Sequence, residues 1–160
     1  MWIITMTKEE RIQKAVALFK EGYNCSQSVV AAYADLYGFT PEQAFRMSSA
    51  FGGGIGRMRE TCGAACGMFM LAGLEKGAVE GSDRKGKGDT YALVQDLAAK
   101  FKEINGALRC SDLLGLSKKE PIVSTPEERT QKYYAKRPCA MMVETAARLW
   151  GDYLESEKKL

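Results

Sequence analysis

Apolar residues recur at helical spacing along nearly the whole chain, and a polar capping residue marks the start of each run. Thr7 with Glu10 makes a capping box, followed on one face by Ile12, Ala15, Val16, Leu18 and Phe19. Gly22 ends that helix. Asn24 caps a second, which runs through Val29, Val30, Tyr33 and Leu36 to Gly38. Thr40-Pro41-Glu42-Gln43 supplies an N-cap, a proline at the first helical position and a capping-box partner. This third helix is short and stops before Gly52-Gly53-Gly54-Ile55-Gly56. Thr61 caps a fourth, with Met68, Phe69, Leu71, Ala72 and Leu74 on its apolar face and Gly77 at its end.

Residues 78 to 88 are polar and glycine-rich, and read as a flexible connection. Asp89 opens a fifth helix through Tyr91, Val94, Leu97, Ala98 and Phe101, closed near Asn105-Gly106. Short turns follow from Cys110 to Leu116. Thr125-Pro126-Glu127-Glu128 begins a polar helix, and a last helix runs from about Pro138 through Val143, Ala147 and Trp150 to near Tyr153. No segment alternates with β-branched enrichment. The pattern predicts an all-α fold, a compact multi-helix bundle without a sheet, in one domain over residues 1–160.

Composition narrows the function classes. A net charge of +3 with scattered basic residues gives no footprint for nucleic acid. No apolar run reaches the ~18 residues that span a bilayer, so no membrane association is expected. Met1 to Met6 is apolar but lacks a basic n-region and a cleavage motif, which points to a cytoplasmic protein. The chain has five cysteines and no histidine. It therefore has no imidazole base or ligand, and thiols are the natural carriers of any chemistry. An odd cysteine count argues against a secreted disulfide framework.

Cys25, Cys62 and Cys139 directly follow Asn24, Thr61 and Pro138, and Cys110 precedes a capping Ser111-Asp112. All four therefore stand at expected helix starts, where unpaired N–H groups and the helix dipole favour thiolate over thiol. Arg57 and Arg59 precede Cys62, Arg109 precedes Cys110, and Arg137 precedes Cys139 by two residues; Glu60 opposes the effect at Cys62. Cys62 is the expected most activated thiol. Cys66 lies one turn deeper, with its Cβ ~5–6 Å from that of Cys62. A disulfide wants ~3.8 Å, so an undistorted helix would strain that bridge. Cys66 is either a resolving thiol or core. Each cysteine alone is equally readable as buried packing.

Gly53, Gly54, Gly56 and Arg57 form a candidate cofactor-binding loop. Its backbone amides could cradle an anion, while the simpler reading is a tight bend between two helices. The glycine spacing fails the dinucleotide fingerprint and the P-loop.

Gly52-Gly53-Gly54-Ile55-Gly56 followed by Cys62-Gly63-Ala64-Ala65-Cys66-Gly67 resembles the redox-active protein family with a C…CGAxxG…C…C pattern. Gly22-Tyr23-Asn24-Cys25-Ser26-Gln27 is similar to its first cysteine motif, Cys110-Ser111-Asp112-Leu113-Leu114-Gly115 to its third, and Arg137-Pro138-Cys139 to its fourth. The resemblance implies a compact helical protein whose family cysteines are Cys25, Cys62, Cys110 and Cys139. Cys66 falls on an x position and is peculiar to this chain.

Two chemistries follow from these residues. In one, the cysteines carry thiol–disulfide or electron-transfer chemistry as an oxidoreductase. In the other, Cys25, Cys62, Cys110 and Cys139 ligate a metal, either an iron–sulfur cluster or zinc. A non-catalytic helical binding module is the third class. The expected partner is a redox protein or a small molecule, and a homodimer is compatible with the sequence. Whichever chemistry holds, the four family cysteines are expected to converge in space.

Overall fold

A computed structural model describes residues 6–117 and 119–160; the apolar start at residues 1–5 lies outside them. Among the described residues there are eight α-helices and no strand. They are α1 (Lys8–Lys20), α2 (Cys25–Ala31), α3 (Pro41–Ser48), α4 (Gly63–Lys76), α5 (Arg84–Asn105), α6 (Cys110–Leu113), α7 (Gln131–Lys136) and α8 (Cys139–Ser156). Two single 3-10 turns cover Ala34–Tyr37 and Ser49–Phe51. No helix among these residues is long and apolar enough to cross a membrane.

The helices assemble around α8. Its apolar face carries Met142, Val143, Ala146, Ala147, Trp150 and Leu154, spaced to present one stripe. Helix α1 packs against α8, while α4 packs against α8, α2 and α5. The core fills with Trp150, Tyr33, Phe19, Phe101, Ile12, Met68, Leu71 and Leu97, all under 2% exposed. The Tyr33 hydroxyl donates to the Ala147 carbonyl at 2.6 Å. Residue 151 must be glycine for that geometry, since a Cβ there would stand 2.7 Å from the Tyr33 hydroxyl oxygen.

Capping side chains behave largely as their sequence suggests. Thr7, Asn24 and Thr40 each accept the amide three residues on, and the latter two complete capping boxes with Gln27 and Gln43. Four boundaries differ from expectation. The second helix ends at Ala31 instead of running to Gly38. Arg11, 1% exposed, donates to the Ala32 carbonyl at 3.0 Å and occupies an acceptor that a continuing helix would use. The same guanidinium clamps Asp35 at 2.6 and 3.0 Å and holds that carboxyl below its usual range.

The fourth helix is capped by Cys62, not Thr61. Thr61 instead forms an isolated antiparallel bridge with Arg109. Helix α5 begins at Arg84, five residues before Asp89, because the Asp83 carboxylate accepts the Gly86 amide at 2.8 Å. The connection between α4 and α5 is residues 77–83, where the sequence suggested 78–88. No helix starts at Thr125. Arg57 donates to the carbonyls of Val123 and Thr125 at 2.8 and 2.5 Å, holding that segment open, and helix begins only after Thr130.

Candidate thiol site

The helix starts do converge. Cys25, Cys110 and Cys139 are the first residues of α2, α6 and α8, and Cys62 is the N-cap of α4. All four line one cavity of about 360 Å³. Cys25, Cys62 and Cys110 are buried, and Cys139 is half-buried. Cys66 does not line the cavity. It is buried within α4, and its thiol donates to the Thr61 carbonyl at 3.7 Å.

Local structure explains how four distant positions meet. Glycine lets α4 press onto the start of α2. A Cβ on Gly63 would come 2.8 Å from the Phe51 carbonyl oxygen and 3.4 Å from Cys25 Cβ, and one on Gly67 would come 3.0 Å from the Ser26 carbonyl. Cys110 is tied to Cys62 through the Thr61–Arg109 bridge. The Cys62 amide donates to Leu108 at 2.8 Å, and the Cys110 amide donates to Glu60 at 2.6 Å. Residues 62 and 110 therefore lie diagonally on one face of that bridge, ~7–8 Å apart by ladder geometry.

The loop from 52 to 60 forms the cavity's cationic wall. Gly53, Gly54, Ile55, Gly56 and Arg57 all have positive φ, between 59° and 75°, and Arg59 follows at 61°. Three of these are not glycine, and Ile55 is β-branched, so the loop stores strain of the kind that gathers at functional sites. A Cβ on Gly54 would stand 2.5 Å from Cys110 Cβ, so glycine is needed for that close approach. The amides of Ile55 through Glu60 donate to carbonyls of residues 50 to 55. They are not aimed at a ligand. Gly53, Gly54, Gly56 and Arg57 all line the cavity, in a bend whose amides from residue 55 onward are used within the loop.

The arginines do not serve Cys62 as expected. Arg59 donates to the Cys110 sulfur at 3.7 Å, Arg57 holds the 123–125 segment, and Glu60 pairs with Arg109 at 3.1 Å. Burial pushes the Cys62 thiol up to about 12, against the amides of Ala65 and Ala64. Burial likewise raises Cys66 to about 11, and raises Cys110 despite Arg59.

Cys139 moves the other way, down to about 7. The neighbouring Cys25 thiol first, and then the guanidiniums of Arg137, Arg129 and Arg59, favour its thiolate against burial. Cys25 is pushed well up by its neighbour Cys139 and by burial. The two thiols titrate together, so the first proton lost belongs to the pair. The arginine charges of the cavity thus act on the Cys25–Cys139 pair, while burial favours the protonated form of Cys62.

Sequence reading found Arg137 by its proximity to Cys139 but not Arg129, Tyr133 or Glu127. Arg129 donates to the carbonyls of Phe19 and Tyr23 at 2.8 and 3.0 Å and lies over the rings of Phe19 and Tyr133, 4.3 and 4.9 Å from their centroids. Glu127 pairs with Arg137 at 2.6 Å. No local motif announces these residues.

Among the described residues, no three cysteine or carboxylate side chains gather closely enough to hold a metal ion. The four thiols share a cavity without forming a ready seat for a single ion such as zinc among the described residues.

A family model described as "Putative redox-active protein (C_GCAxxG_C_C)" matches residues 23–153. That span includes every cysteine of the cavity. Where the family title prints Gly-Cys-Ala, this chain reads Cys62-Gly63-Ala64. The chain is also 29% identical over 112 residues to an Archaeoglobus fulgidus protein named "Uncharacterized protein", covering 66% of this chain and 74% of that one. No solved structure matches.

Proposed function

The chain belongs to the redox-active C_GCAxxG_C_C family, and on that premise we propose that residues 1–160 act as one helical thiol–disulfide redox domain. Cys139 is the attacking thiolate and Cys25 the resolving thiol. The observation that carries this reading is that Cys25 and Cys139, the first residues of two helices, line one cavity together with Arg59, Arg129 and Arg137. A thiolate held near neutrality beside a second thiol is the arrangement that exchange chemistry uses. Oxidation removes two electrons and the proton the pair still holds and leaves a Cys25–Cys139 disulfide; reduction reverses it. Cys110 and Cys62 line the same cavity and stand next in reach.

Anaerobic titration of the reduced protein with diamide tests the proposal. Two of the five free thiols should disappear, with peptide mapping placing the bond between Cys25 and Cys139. Dithiothreitol should restore both. A protein that leaves anaerobic purification coloured, with bound iron and no oxidisable pair, would support cluster ligation. Inert thiols and no metal would leave the non-catalytic helical module.

A further inference from the structure

The cavity holds more positive charge than its neighbours neutralise. Arg57, Arg59, Arg129 and Arg137 all line it, and Glu127 is the one acid among the lining residues. Glu127 is paired with Arg137. Arg57 and Arg129 bond to backbone carbonyls, and Arg59 reaches the Cys110 sulfur. Three half-buried guanidiniums thus stand against one cavity with no carboxylate partner among the described residues. Arg57 is held below its ordinary value, by burial first and then by repulsion from Arg59 and Arg137. A single thiolate at Cys139 offsets only part of these partly desolvated cations, and an anion entering the cavity relieves the rest of the cost.

Access restricts what that anion can be. Cys25 is 8% exposed and the cavity is about 360 Å³, the size of a small-ligand site. A disulfide on the surface of a folded protein would have to push a loop inside.

We infer that this cavity takes a low-molecular-weight disulfide bearing carboxylates, which the arginines hold while the thiol pair reduces it. The inference rests on the thiol–disulfide reading above. The Cys139 thiolate attacks one sulfur of the substrate; a mixed disulfide forms, the substrate S–S bond breaks, and one small thiolate leaves. The Cys25 proton passes to that thiolate. Cys25 then attacks the Cys139 sulfur, forming the Cys25–Cys139 disulfide and expelling the second small thiolate. The protein pair is oxidised by two electrons and the substrate disulfide is reduced to one thiol and one thiolate, the latter taking its proton from water.

A charge series tests this on the reduced, full-length protein. Dithiodiglycolate, hydroxyethyl disulfide and cystamine supply a dianion, a neutral molecule and a dication of similar size. Formation of the Cys25–Cys139 bond is followed by acid quenching and mass spectrometry. Each rate is divided by the same probe's rate with mercaptoethanol, which removes intrinsic reactivity. The dianion should lead the neutral probe by about tenfold or more at low ionic strength, and the dication should be slowest. Added salt should compress the series. In Arg59→Gln and Arg129→Gln the dianion-to-neutral ratio should fall; taking the ratio cancels any change in thiolate population. Equal normalised rates, or cystamine leading, overturn the inference. If diamide closes the pair but no dianion preference exists, the anionic substrate is wrong and the thiol–disulfide reading stands. If no oxidant, diamide included, closes the pair, both fall.

Discussion

The two ends of α8 use glycine and close contact for opposite purposes. Toward its C-terminal half, Gly151 lets the Tyr33 hydroxyl reach the Ala147 carbonyl beside the buried, mostly apolar core around Trp150. At its first residue, Cys139 meets a cavity where Gly54 and Gly63 allow thiol-bearing backbone to close in. There the chain tolerates left-handed Ile55, Arg57 and Arg59, crowded guanidiniums and two thiols that titrate together. One end spends its close contacts on stability. The other accepts strain and charge to hold four thiols around a space.

The sharpest way to break that contrast is a pair of substitutions. Cys139→Ser should abolish formation of the diamide-induced disulfide while moving the melting temperature little. Trp150→Ala should do the reverse, costing about 3–5 kcal/mol in denaturant unfolding while the remaining folded fraction still oxidises. If Cys139→Ser oxidises normally, the active pair lies elsewhere in the cavity.

Gly54→Ala should mix the two behaviours. Its Cβ would collide with Cys110 and its φ of 75° disfavours alanine, so a loss of about 2 kcal/mol is expected. Cys110 alkylation should change as well. A thermally neutral Gly54→Ala would show that the loop relaxes freely, which the contrast does not allow.

Reactivity against pH separates the thiols. Cys139 is faced by Cys25, Cys62, Cys110, Arg59, Arg129, Arg137, Tyr133 and Glu127 around the cavity. Glu127 is held below its usual range by Arg137 and stays ionised near neutrality. The thiolate is the reactive form, and a lowered value populates it at lower pH. Iodoacetamide labelling of Cys139 should therefore rise as pH passes through about 7 and then level off. Cys62, raised to about 12, should still be climbing at the alkaline end. Labelling of Cys62 ahead of Cys139 below neutrality would reverse the assignment.

The smallest effect expected is a gain. Ile55 sits at φ 63°, where a β-branched residue is strained and glycine is not. Ile55→Gly should raise unfolding stability by about 0.5–1 kcal/mol, the relief being offset in part by glycine's unfolded-state freedom. A clear loss would mean that the Ile55 side chain packs more than it strains.

These contrasts also explain what the sequence could disclose. Caps at Thr7, Asn24 and Thr40 are local chemistry, readable from four residues, and they place α1, α2 and α3 correctly at their starts. The cysteines at helix starts were legible for the same reason. The end of α2 was not, because it depends on Arg11 reaching Ala32 from another helix. Nor was the absence of helix at Thr125, where a proline and two glutamates give a persuasive start signal that Arg57 overrides from a distant loop. The surroundings of Cys139 are also tertiary in part. Cys25, Arg59 and Arg129 reach it from distant elements beside its own neighbour Arg137, while the arginines just before Cys62 turn to other partners.

The contact between Cys25 and Cys139 joins the first and last thirds of the chain. A covalent bond there would close a loop on the order of 100 residues, and the chain-entropy cost removed from the unfolded state is roughly 4–5 kcal/mol. Folding and oxidation then become linked equilibria: whatever the bond adds to the fold, the fold adds to the bond. The poise of the pair is thus set partly by the ordering of the polymer between its two sulfurs, and loosening the helices anywhere along that stretch shifts the electron balance at the site.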